Sequence, residues 1–213
     1  MNFGNKENEK ITLLDGRVVW LSRSCAVNSI IIIQVGRWWQ KKEFFVLTGI
    51  RGKDTPDFQG FRSCPCGYLD WDEDLKGAAF RETWEETDFN LTTILTHHHK
   101  YPILDKKGKE RWVKIKPIYG TYLEGKPFHV SSHPLANKQN VTCSFGVVLS
   151  VPKHEFLPKV SGRNVNKDNY EEVSSVEWTP IHEVIDGRHK FAFNHEIRIM
   201  QFFNQFKKSK FFF

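Results

Sequence analysis

The chain has 213 residues, 39% of them hydrophobic and 26% charged, with a formal net charge of +6 at pH 7. That length suits one sizeable domain with its own core and excludes two large ones, and the composition is that of an ordinary globular protein. No apolar run approaches the roughly 20 residues of a membrane-spanning helix. The four cysteines are too few for a disulfide scaffold, and the mild positive charge fits simple solubility, an anionic small molecule or a weak nucleic-acid encounter.

Residues 1–10 are polar and lack the basic start and apolar stretch of a secretory signal, so a flexible N-terminus and a cytoplasmic location are expected. After a turn at Asp15-Gly16, Val18–Leu21 and Cys25–Val35 read as strands, and Glu43–Ile50 returns as the second arm of a hairpin through Lys41-Lys42. Residues 51–65 form a loop rich in Gly, Pro and Asp. A helix follows over 74–87, with Leu75, Ala78, Ala79 and Thr83 at helical spacing to face a sheet.

Residues 91–99 and 110–124 read as strands joined by the basic turn Asp105–Lys109, and 126–140 as a long binding loop or lid. Val141–Val151 is the clearest buried strand. A polar loop over 153–171 leads to a short strand, Val173–Trp178, then to helices over 181–185 and 194–206. In the last helix Ile197, Met200, Phe203 and Phe206 make the stripe expected to pack on the core. A single domain thus spans 11–206, ahead of a basic and aromatic tail, 207–213.

The helix over 74–87 carries the chemistry. Glu82, Glu85 and Glu86 lie at i, i+3 and i+4, on one narrow face, where like charges repel. A hard divalent cation such as Mg²⁺, which takes carboxylate oxygens as ligands, is the natural compensation. Two other patterns are weaker. His97-His98-His99, read as strand residues, would point alternately to opposite faces, which argues against a tri-histidine metal set. Cys64-Pro65-Cys66 has a one-residue gap and no second pair at zinc-site spacing, so reduced thiols are expected.

Gly67, Glu73, Arg81-Glu82 and Glu85-Glu86 stand at the spacing of the Nudix box: Gly, five residues, Glu, seven residues, Arg-Glu, two residues, Glu-Glu. Over residues 67–89 the chain resembles the Nudix hydrolases, which cleave nucleoside diphosphates linked to another moiety. The resemblance implies an α+β fold, an α/β/α sandwich around a mixed sheet. It implies Mg²⁺ or Mn²⁺ held by Glu82, Glu85, Glu86 and the Gly67 carbonyl, with Glu73 and Arg81 orienting the acids. The general base of many members comes from a loop before the strand ending in Trp-Pro, which points here to Glu172 or Glu171.

Departures from the box are Asp88 at its final glycine, Thr83 at its apolar position and Cys66 where a second glycine is common. The implied function is cleavage of a pyrophosphate bond in ADP-ribose, a dinucleotide or a nucleoside triphosphate. A catalytically silent nucleotide-sensing module and an RNA-end pyrophosphohydrolase are the alternatives. The expected partner is a small-molecule nucleotide, with RNA left open by the basic turn. A homodimer is left open by Trp38-Trp39, an apolar pair on the hairpin turn. Trp38, Trp39, Tyr101 and Trp112 are the rings on which a base could stack.

Overall fold

The computed structural model describes residues 9–21, 25–37, 39–70, 73–104, 107–132, 140–162 and 171–209. The fold is built around four consecutive isoleucines, Ile30–Ile33, none of which has any solvent exposure. A strand buries a run like that only if both faces of its sheet are covered. They lie in β3 (Cys25–Val35), which follows the hairpin of β1 (Glu9–Thr12) and β2 (Val18–Leu21) and is itself followed by β4 (Glu43–Arg51). Short strands β5 (Arg62–Ser63) and β6 (Cys66–Tyr68) pair with β4 and β3, and lead into helix α1 (Leu75–Thr87).

Helix α2 (Leu91–Thr96) precedes a separate hairpin, β7 (Lys100–Leu104) and β8 (Glu110–Lys114). Strands β9 (Lys116–Tyr119), β10 (His129–Ser131) and β11 (Val141–Val151) return to the main sheet. The chain then adds β12 (Val173–Pro180), α3 (Ile181–Ile185) and α4 (His195–Ser209). The sheet order is β10-β11-β3-β4-β12, with β3 and β11 parallel and the other pairs antiparallel. This mixed sheet between helices is the α+β sandwich expected.

Strand alternation divides the core. Ile31 and Ile33 pack with Leu47, Ala78, Ala79 and Phe145 beneath α1. Ile30 and Ile32 pack with Val46, Val148, Ile199 and Phe202 beneath α4. Helix α4 sits so close that a Cβ added to Gly146 of β11 would lie 2.4 Å from a ring carbon of Phe202. Gly146→Ala is therefore expected to lower the unfolding free energy by about 1–3 kcal/mol through overpacking. Urea denaturation checks this, and Phe202→Leu in the same chain should recover part of the loss.

Helix α1 is pinned by a buried hydroxyl group. Tyr122 Oη donates to the Ala79 carbonyl at 2.7 Å and lies 3.0 Å from Ser29 Oγ and 3.1 Å from Thr83 Oγ1. Thr83 at the apolar box position thus packs on the sheet and also joins a hydrogen-bonded knot.

Several expectations are corrected. Residues 91–96 are helical, not extended: Asn90 caps them, its side chain accepting from the backbone N–H of Thr92 and Thr93, and Leu91 and Ile94 are buried at i, i+3. The β-branched composition of Leu91–Thr96 suggested a strand, but cap and tertiary burial override that propensity. His97–His99 consequently form the turn after α2, with His98 and His99 at φ 52° and 63°, and do not alternate along a strand.

The span 110–124 is broken into β8, β9 and a 3₁₀ turn at Tyr122–Glu124. On α4 the stripe is Ile199, Phe202, Phe203 and Phe206, whereas Ile197 is half exposed. Residues 9 and 10, expected to be flexible, pair in β1 with Leu21 and Trp20. The rest of the N-terminus, Trp38, part of the 126–140 and 153–171 loops and tail residues 210–213 lie outside the described residues. Among the described residues no helix is long and apolar enough to cross a membrane.

Candidate active site

Strand β6 pairs antiparallel with β3, setting Gly67 opposite Val27, and the chain turns from there onto α1. Asp74 starts the helix, its Oδ1 accepting from Gly77 N at 2.6 Å, as an N-cap acid does. Asp88 ends it in the left-handed conformation, φ 57° and ψ 12°, with its N–H donating to Trp84 O. Asp tolerates that geometry, at a penalty of about 1 kcal/mol relative to glycine. The departure from the box therefore touches stability and leaves the acids in place.

Arg81 is the hub of the site. Its Nη2 donates to Glu73 Oε1 at 2.6 Å and to the Tyr68 carbonyl at 3.0 Å, and its Nε to Glu73 Oε2 at 3.1 Å. Its Nη1 donates to Glu82 Oε1 at 2.7 Å and Glu85 Oε2 at 3.0 Å. Hydrogen bonds from Arg81 hold the Glu73 carboxyl below the usual range, and the same bonds push the guanidinium further up.

Glu82 and Glu86 are the buried members. A Cβ at position 67 would fall 2.1 Å from Glu82 Oε1, so only glycine lets that carboxylate reach the β6 backbone. Glu86 Oε2 accepts from the Cys66 N–H at 3.2 Å. That bond uses the backbone, which explains why cysteine serves where glycine is common. Burial pushes Glu82 up to about 7, against the pull of Arg81, with Glu172 and Glu85 adding repulsion. Burial also raises Glu86 well above the carboxylate range, with Glu82 and Glu172 adding to it.

Glu172 is exposed as a residue, but desolvation of its carboxyl raises it, opposed by Arg51 and reinforced by Glu85. It stands immediately before β12, and its charge acts on Glu82 and Glu86. Glu171 points elsewhere: its N–H donates to Asp54 Oδ2 at 2.7 Å and its carboxylate lies 3.8 Å from Lys53 Nζ.

Gly67, Glu73, Arg81, Glu82, Glu85, Glu86 and Glu172 are thus brought together. Among the described residues no three His, Cys, Asp or Glu side chains form a ready-made metal-ligand set. Glu82 and Glu85 each give an oxygen to Arg81 instead. The donor chemistry nonetheless fits a hard cation: buried carboxylates repelling one another at a glycine-lined backbone are hard oxygen ligands whose ionised forms lack sufficient compensation.

The sequence reading did not single out Arg51, whose charge acts on both Glu86 and Glu172. Its only signal is the pairing of Arg51 with Val173, next to Glu172, which needs the sheet register. The rings named for base stacking do not converge here: Tyr101 packs on Phe89 in the core, Trp112 stacks on His97, and Trp39 lies on the β3–β4 turn under Arg37.

Residues 39–137 match the family model of the NUDIX domain. No curated protein matches by sequence. Among solved structures, the NUDIX domain of Shewanella oneidensis NrtR, complexed with ADP ribose, aligns at TM-score 0.53 and 16% identity, covering 87% of this chain and 90% of that one. A mutT/nudix family protein from Listeria innocua aligns at 0.53 and 17%, covering 89% and 98%. A bifunctional NMN adenylyltransferase/ADP ribose pyrophosphatase from Francisella tularensis, complexed with AMP and a Mn ion, aligns at 0.53 and 15%, covering 86% of this chain and 42% of that one. At such identities the likeness is one of fold. Box spacing, sheet order and the family model agree on a NUDIX domain within the chain, matched over residues 39–137.

Proposed function

We propose that the protein is a Mg²⁺- or Mn²⁺-dependent hydrolase that cleaves a pyrophosphate bond in a nucleoside diphosphate derivative. The observation that carries this reading is the burial of Glu82 and Glu86 against the Cys66-Gly67 backbone. Such an arrangement costs folding free energy unless a cation joins it.

Glu82, Glu85, Glu86 and the Gly67 carbonyl would hold the metal, which when bound supplies charge neutralisation on the phosphates and a more acidic water. Glu73 and Arg81 are positioning residues, the first locking the second and the second aligning Glu82 and Glu85. Glu172, with its raised affinity for protons, is assigned to accept the proton of the attacking water. Arg51, whose charge acts on Glu86 and Glu172, is assigned to pair with phosphate charge.

The test is product analysis over ADP-ribose, dinucleoside polyphosphates, nucleoside triphosphates and 5′-triphosphate RNA, with Mg²⁺ or with chelator. Metal-dependent release of a monophosphate or pyrophosphate product from at least one of these is expected. Binding without release across the panel would replace this reading with that of a nucleotide-sensing module.

A further inference from the structure

The loop after β4 and the turn before α4 meet beside the carboxylates. Arg62 N donates to Lys190 O at 2.9 Å and Cys64 N to His195 Nδ1 at 3.0 Å, so the two segments are tied together. The junction brings Phe58 and Phe193 edge to face, with centroids 4.9 Å apart, and Phe61 lies 5.6 Å behind Phe58. Both leading rings remain open to solvent, Phe58 at 44% and Phe193 at 42%. Both also sit at φ 57°, a left-handed backbone that bulky residues rarely adopt. Strain that holds two exposed rings in place contributes little to folding, and such outliers cluster at ligand sites.

Arg51 joins these rings to the acids. Its guanidinium carbon lies 4.9 Å from the Phe193 ring centroid, and its Nε is fastened to the Asp57 carbonyl at 2.9 Å. Its backbone stands opposite Val173, and the next residue, Gly52, donates to the Glu172 carbonyl at 2.7 Å. Arg51 therefore touches the Phe193 ring while its charge acts on Glu86 and Glu172. A ligand matching both would have a flat π-system at one end and anionic groups at the other.

We propose that Phe58 and Phe193 form the nucleobase platform of this protein, with Arg51 bridging from the base to the phosphates. Every base offers a π-face, so the platform selects for a nucleotide without selecting among bases. This assignment rests on the reading of the site as a nucleotide site, but not on hydrolysis there.

The experiment is calorimetric titration of the full chain, in Mg²⁺, with AMP, GMP, CMP, UMP and inorganic pyrophosphate. At least one monophosphate is expected to bind, about 10-fold more weakly in Phe193→Leu and in Phe58→Leu. Phe193→Trp should recover most of the loss, and pyrophosphate should bind Phe58→Leu, which leaves the Arg51–Phe193 contact in place, no more weakly than the wild type. Absence of binding by all four monophosphates, unchanged affinity in both leucine variants, or equal losses for nucleotides and pyrophosphate in Phe58→Leu would overturn the platform. Ring-dependent binding without turnover of any nucleotide would remove the hydrolase reading and leave the platform standing. Turnover with an unchanged KM in Phe193→Leu would remove the platform alone.

Discussion

Glu86→Gln is expected to lower turnover of the cleaved nucleotide by roughly 10³-fold at saturating Mg²⁺, about 4 kcal/mol of transition-state stabilisation. The metal-free protein should meanwhile become more stable rather than less. Glu86 is buried, accepts one hydrogen bond from Cys66 N, and is held far above the carboxylate range by burial and by Glu82 and Glu172. A neutral amide keeps the shape and can accept the same bond while removing the cost of burying an ionisable carboxyl. Steady-state kinetics and thermal unfolding in chelator read the two effects separately. Full activity in Glu86→Gln would overturn the assignment of the acids. Lost activity with a destabilised metal-free fold would mean that Glu86 serves the structure.

Acidification should act through His195. The ring is buried, its Nδ1 accepts from Cys64 N at 3.0 Å, and burial beside Arg51 and Arg198 pushes it from 6.5 down to about 3. A base depressed in the folded state contributes stability that is complete above pH 6.5. That stability is lost as the pH falls toward 3, at up to about 1.4 kcal/mol per pH unit.

The acids act in the opposite sense. Glu82, Glu86 and Glu172 are raised from 4.5, so their contribution is complete below that pH and is lost as the pH rises, for Glu82 through about 7. Between pH 4.5 and 6.5 the two slopes oppose each other in the metal-free protein. His195→Gln, which keeps an acceptor for Cys64 N, separates them. Denaturant titrations across this range should show wild type and variant converging as the pH falls, whereas parallel curves would exclude His195 as the acid-sensitive group.

The legibility of this chain follows the range of its interactions. Strands Cys25–Val35 and Val141–Val151 have the bounds read from their composition, because a long apolar run has few other places to go. Helix α1 was equally plain, since Asp74, the alanines and the glutamates all act within one or two turns. Residues 91–99 misled because the local preference of Thr and Ile pointed to a strand. The deciding facts were a cap at Asn90 and burial of Leu91 and Ile94 against elements distant in sequence.

Within the site, the residues of the box needed no structure to be listed, because Gly67, Glu73, Arg81, Glu82, Glu85 and Glu86 share a single turn and helix. Periodicity alone puts the acids on one face. Their environment was a tertiary matter. That Glu82 is pushed up to about 7, and Glu86 well above its ordinary range, depends on the sheet that buries them. That Glu172 rather than Glu171 joins them depends on how Asp54 and Lys53 hold the preceding residue.

Arg51, Phe58 and Phe193 lie on segments well over 100 residues apart in part, and no local pattern marks them as neighbours. By itself the sequence determined which acids share one helix face, because helical spacing is a local property of the chain. Only the tertiary structure decided the charge state of those acids and what surrounds them, because desolvation and long-range contacts exist only once the sheet, α1 and α4 have packed.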